Sequence, residues 1–188
     1  GDRERRCARG DTRGTRRVAL RPLPPALFDQ PCLLSVEARL GALRQRELGY
    51  ALPYQIANCI MAAAPGHPFF RAAIERAFAL CAAAGPVTRD RIEDLTGPRM
   101  LTRLFQAQVW PDVTVSSQIL LMAPLGLPDL WPFNRHMAAR HETHGSWKAT
   151  GIAAGLRRRW IERNRWVNPF AAPRLMPAAE FIASGGRG

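Results

Sequence analysis

Lysine is almost absent: Lys148 is the one lysine among 27 basic residues in a chain of 188. That bias fits a GC-rich coding sequence as readily as selection for phosphate-binding guanidinium forks. Long apolar runs are missing too. None reaches the roughly 18 residues of a membrane span, so no bilayer-crossing helix is expected. Residues Gly1 to Arg21 are charged and lack an apolar h-region, so no secretory signal is expected there. The chain does not begin with Met, and an upstream segment is expected to be missing. Cysteine is scarce and scattered: Cys7, Cys32, Cys59 and Cys81 lie too far apart for a CxxC-type metal site, and buried free thiols are expected. There is no HExxH and no internal repeat.

What is present has an ordinary globular balance. Apolar residues make up 47% and charged residues 22%, which excludes a wholly disordered chain. The length suffices for one domain with a core, or for part of a larger one. The net charge of +12 is unevenly placed. Residues 1–21 carry eight arginines against three carboxylates, and residues 156–188 carry seven against two. The long middle holds twelve basic and ten acidic residues. A nucleic-acid binder shows a basic stripe interleaved with aromatics on its folded body. Here the charge sits in two flanks, and no nucleic-acid partner is expected.

Along the chain, residues 1–17 read as loop or disorder, and order is expected from Val18, in an extended piece stopped by Pro24-Pro25. Cys32 to Glu37 reads as a short buried strand, and Leu40 to Tyr50 as a surface loop or short helix. Tyr54 to Ala64 is a continuous apolar stretch whose length favours a buried strand, although its alanines leave helix open. A helix is predicted over Phe69–Ala83, between Pro68 and Gly85-Pro86, with Phe70, Ile74, Phe78 and Cys81 as its packed face. A second is predicted over Pro98–Gln108, capped by Thr96 or Gly97, with Leu101, Leu104 and Phe105 inward. Val113–Val115 and Ile119–Met122 read as strands, Ala123–Phe133 as irregular, and Leu156–Trp166 as a basic helix. Gly185 to Gly188 reads as a frayed tail. Alternation of strands and helices makes the class α/β.

Three clusters carry chemistry. Asn58 with Pro65-Gly66-His67-Pro68 runs a strand end into a helix start, where free N–H groups favour phosphate or hydroxyl contacts. The plain alternative is a rigid turn with His67 capping the helix. Thr96-Gly97-Pro98 through Thr102 presents a second helix start, with glycine permitting close backbone approach; a simple cap explains it equally well. His141-Glu142-Thr143-His144-Gly145-Ser146-Trp147-Lys148 gathers imidazole, carboxylate, hydroxyl, indole and amine within eight residues. Imidazole binds manganese or zinc, but His-x-x-His is no metal signature by itself, and a polar loop is the plain reading.

Taken in order across residues 18–148, these strings resemble the later part of the DXD-containing sugar transferases, glycosyltransferase family 32. The matching segments are Val18–Leu23, the strand ending Glu37-Ala38, Asn58 to Pro68, Thr96-Gly97-Pro98 with Leu101-Thr102, and His141 with Gly145-Ser146-Trp147. The family includes fungal Golgi α-1,6-mannosyltransferases and bacterial capsule and surface-glycan enzymes. The resemblance implies a GT-A-like fold, here incomplete at its N-terminal side, over residues 18–155, with 156–188 as a basic helix and tail. It further implies a nucleotide-sugar donor, a glycan or glycolipid acceptor, retention of anomeric configuration, and a divalent metal, usually manganese, on the donor diphosphate. By motif position, His141 is similar to the late metal ligand, with Trp147 and Ser146 beside the donor. Asn58 and the loop Thr96, Gly97 and Pro98 correspond to segments near sugar and acceptor. The implied compartment is the Golgi membrane if the source is fungal, or the cytoplasmic membrane face if bacterial, with any membrane association made through the missing segment.

One departure stands out. Where the family carries Asp-x-Asp, this chain has Gly14-Thr15-Arg16, and an arginine there repels the cation it should hold. Manganese binding by this chain is therefore expected to be weak. A truncated or frame-shifted coding sequence upstream of Val18 accounts for both the lost pair and the absent nucleotide-cradling strands. Without those strands the sheet is expected to have an unpaired edge and the chain to aggregate. The alternative is a catalytically inactive glycan-binding or scaffold derivative.

Overall fold

The computed structural model describes residues 16–88, 91–122, 136–142 and 172–186, with the backbone alone at 16–19 and 140–142. Strand β2, counting Arg16–Ala19 as β1, runs from Cys32 to Arg39 and is the axis of the fold. Cys32, Leu34 and Val36 join one apolar cluster, while Leu33 joins another. A strand covered on both faces needs apolar residues at consecutive positions, which is why Cys32–Val36 reads as a run rather than an alternation.

β3 (Tyr54–Ile56) and β4 (Ala62–Ala63) both pair antiparallel with β2, against its second half and its first two residues respectively. β5 (Val113–Ser116) lies parallel to β2, with Cys32 opposite Val113 and Ser35 opposite Ser116. Beyond it, β7 (Leu175–Pro177) closes the order β3-β2-β5-β7 as an antiparallel edge. The class is α/β with a mixed sheet. β6 (Ala139–Glu142) pairs with β1 in a separate antiparallel ribbon. The Ala138 amide donates to Leu120 O at 2.8 Å, joining that ribbon to the helix after β5.

The helices are α1 (Ala42–Leu48), α2 (Pro68–Ala83), α3 (Ile92–Leu95), α4 (Pro98–Ala107), α5 (Gln118–Leu121) and α6 (Ala178–Ala183). Pro68 and Pro98 each open a helix, where a missing N–H costs nothing and the fixed φ is already helical. The core gathers around aromatic edges. Phe69 meets Trp110 edge-on at 5.1 Å and Phe105 at 6.4 Å, while Tyr54 meets Phe181 at 4.6 Å.

Several expectations need correction. The apolar stretch Tyr54–Ala64 is not one strand: β3 stops at Ile56, and β4 is a two-residue exposed edge. The break follows Ala57, whose amide turns to Ser35 O at 2.8 Å before the exposed Asn58. Ile119–Met122 is not a strand either, because Ser117 starts a turn of helix there. α2 forms where expected but is rotated by one residue. Phe69 and Ala73 are buried, and Ala77 and Leu80 pack with them, while Ile74 is 56% and Phe78 74% exposed. Both stripes are apolar, and the larger contact with Trp110 and Phe105 selects the Phe69 one. Cys81 is accordingly exposed rather than buried, and Cys59 is half-buried. Arg16–Ala19 is already a strand, two residues before the expected onset of order. Gly185 and Gly186 are not a frayed tail. Gly186 is buried at φ 74 with Arg39 Nη2 donating to its carbonyl, and a Cβ there would fall 2.2 Å from the Tyr54 ring. The predicted irregular segment 123–133 and helix 156–166 lie outside the described residues.

Candidate functional site

His67 adopts the plain reading of the first cluster. It is the N-cap of α2, its Nδ1 accepting from the Phe69 amide at 3.2 Å, and only 8% of it is exposed. The cap occupies one of the free donors at that helix end. Asn58 stands exposed in the turn between β3 and β4.

The second cluster is a joint between two helices. Gly97 is the buried N-cap of α4, and a Cβ there would lie 2.6 Å from Glu93 Cα, so the close approach its sequence permits is to the chain's own backbone. Thr96 is exposed and donates its hydroxyl to Ile92 O at 3.4 Å. Arg99 bridges Glu93 at 3.0 Å and Asp94 at 2.9 Å, and Arg103 adds Asp94 at 2.8 Å. The joint is tied to the sheet through Thr102, which is fully buried. Its Oγ1 accepts from the Ile56 amide at 2.9 Å and donates to Pro98 O at 2.6 Å. The helix start at Gly97-Pro98 and the strand leading to Asn58 are thus brought together, by one hydroxyl.

In the ribbon, Arg17 stands opposite His141 and Arg16 opposite Glu142. Arg16, the last of the three positions that the resemblance aligns with Asp-x-Asp, pairs in backbone register with Glu142, the neighbour of His141. The residue types do not fit a manganese site: the backbone register pairs two arginine positions with a glutamate and a histidine position, and no cluster of three ligating side chains occurs among the described residues. Ser146 and Trp147, like His144 and Lys148, lie outside the described residues.

A polar group that no motif announced lies where β2 and β5 end. β2 carries an irregularity between Val36 and Ala38, which makes Glu37 the extra residue of a bulge. Glu37 Oε2 accepts from Gln55 Nε2 at 2.7 Å, and Gln55 Oε1 accepts from the Tyr50 hydroxyl at 3.1 Å. Burial holds the Tyr50 phenol up at about 12, outweighing the Thr102 hydroxyl, Arg103 and Arg99, which pull it down. Gln118 donates Nε2 to Glu37 O at 2.7 Å, continuing the β2–β5 ladder by side chain. Its Oε1 and the Oγ of Ser116 are buried without a hydrogen-bond partner. The fold thus leaves one hydroxyl and one amide oxygen unpaired near the end of the β2–β5 ladder, each with hydrogen-bonding capacity to spare. The sequence signal for this group was faint: Glu37 breaking an apolar run and Ser116-Ser117-Gln118 between two others.

Among the described residues no helix is long and apolar enough to cross a membrane. Neither a family model, nor a curated protein, nor a solved structure matches this chain.

Proposed function

We propose that this chain is the later part of a GT-A-like sugar-transferase domain of the glycosyltransferase family 32 kind, which moves a hexose from a nucleotide-sugar to a glycan acceptor. The observation that carries this reading is the orphaned pair Ser116 Oγ and Gln118 Oε1, with Gln118 on the Glu37 carbonyl, where the parallel β2–β5 ladder ends at its carboxyl side. Open α/β sheets bind ligands just outside those ends. A sugar offers the hydroxyls that such buried atoms lack. In the transfer, the bond from the anomeric carbon to the donor phosphate oxygen breaks, an acceptor hydroxyl oxygen bonds to that carbon with retention, and the nucleoside diphosphate leaves, its freed oxygen taking the hydroxyl proton.

A second reading, an inactive glycan-binding derivative, is favoured by arginines at positions 16 and 17, paired in backbone register with Glu142 and His141. Calorimetry with UDP- and GDP-hexoses, with a transfer assay, separates the two. The native chain is expected to bind a nucleotide-sugar with no dependence on manganese and to transfer nothing. Gly14→Asp with Arg16→Asp is expected to bring manganese dependence and transfer together. In that background His141→Ala should remove both, while His144→Ala leaves them. Glycan binding without nucleotide-sugar binding in either form supports the second reading. Absence of both kinds of binding overturns the two together.

A further inference from the structure

α2 carries a second apolar stripe, of which Phe70 packs partly against the core while Ile74 and Phe78 stand exposed. Phe70, Ile74 and Phe78 follow one another at helical spacing, with Ile74 56% and Phe78 74% exposed. Beside the stripe an open groove of about 540 Å³ runs between β4 and the first turns of α2. Its walls include Met61, Ala62, Ala63, His67 and Phe70, and the small alanines leave space for a ring. Arg71 and Glu75 border the same groove, both exposed.

We infer that this face is a two-fold interface between two copies of this chain. Set two α2 helices antiparallel about an axis near Ile74, and Phe78 of each copy comes beside Phe70 of the other, where the groove opens. Phe70 and Phe78 are eight residues apart, about 12 Å along the helix, so the Phe78 ring of each copy reaches the other's groove beside Phe70 at the same time. The charges agree with the same symmetry. Arg71 and Glu75 lie on one flank of the stripe, and reversal about the axis turns their plus-then-minus order into minus-then-plus. Arg71 of each copy therefore meets Glu75 of the other. A parallel pairing would instead set that flank against Ala73 and Ala77, which carry no complementary charge. An isologous contact of this kind closes on itself and ends at the dimer. It also covers apolar side chains that would otherwise stand in water. The interface stands on α2 and β4 alone and does not depend on the sugar-transferase reading.

Sedimentation equilibrium of the full chain, from submicromolar to high micromolar concentration, tests it. A monomer–dimer equilibrium is expected. Phe78→Glu should weaken it roughly 30-fold or more, as loss of a central aromatic anchor does. Arg71→Glu should also weaken it, and Arg71→Glu with Glu75→Arg should restore it; these positions are exposed, and an unchanged circular dichroism spectrum verifies the fold. In a Cys81→Ser background, Ile74→Cys should give a disulfide-linked dimer on oxidation, because the axis passes close to that position. A monomer throughout, an open-ended aggregate, or a dimer indifferent to Phe78→Glu overturns the inference.

Discussion

Thr102 shows how much one hydroxyl holds. It satisfies the Ile56 amide at the end of β3 and returns its proton to Pro98 O, so a strand end and a helix start share one buried atom. Thr102→Val keeps the shape and strands the amide, and should cost about 1–3 kcal/mol in urea unfolding; Thr102→Ser, keeping the bonds, should cost less. Cys32 makes a second case. Burial pushes its thiol from the ordinary 9.0 to about 12, as it pushes the Tyr50 phenol from 10.0 to about 12. Both groups hold their protons in the folded chain at a pH where the unfolded chain has released them. Their contribution is complete below pH 9 and is lost as pH rises from about 9 to about 12. The urea midpoint should fall across that window and be flat between pH 7 and 8 as far as these groups act. Peptide mapping after alkylation at pH 8 should find Cys81 modified at once and Cys32 only after unfolding.

α2 is the element on which sequence and structure differ most usefully. Its boundaries were legible, because Pro68 opens it and Gly85-Pro86 closes it. Its orientation was not, because the Phe69/Ala73/Ala77/Leu80 stripe and the Phe70/Ile74/Phe78 stripe are both apolar at helical spacing. Periodicity gives a helix but cannot rank two such faces. Phe69→Ala should cost about 3–5 kcal/mol, since its ring touches Trp110, Phe105 and Phe70. Phe78→Ala in dilute solution should change stability by less than about 0.5 kcal/mol. Equal losses at the two positions would show that the helix is not seated as described. The strand predicted at Ile119–Met122 failed for a related reason. Four apolar residues suit a strand or one buried helical turn equally, and Ser117 beside them begins the turn.

The whole molecule depends on its last described residues. β7 pairs with β5, and α6 sends Phe181 against Tyr54 at 4.6 Å, so a segment remote in sequence closes both sheet edge and core. Ending the chain at Arg174 should abolish the cooperative thermal transition and expose dye-binding apolar surface. A sharp melt of that shortened chain would contradict the packing. Residues alone established the α/β class, the β2 strand, the limits of α2 and α4, and the β5 strand. Each is written locally, in proline and glycine boundaries or in apolar runs of strand length. His67 as a cap was also within reach, because a polar side chain just before a helical proline has few other tasks. The mixed order β3-β2-β5-β7, the bulge at Glu37 and the orphaned Ser116 and Gln118 were not legible. Strand neighbours come from across the sequence, and a polar atom becomes an orphan only when folding removes water without bringing a partner. Gly97 completes the contrast: its sequence allowed a ligand's approach, and the neighbour that takes the space is the backbone of Glu93. Local pattern determined the elements, while burial, which depends on everything else in the fold, decided what each one faces.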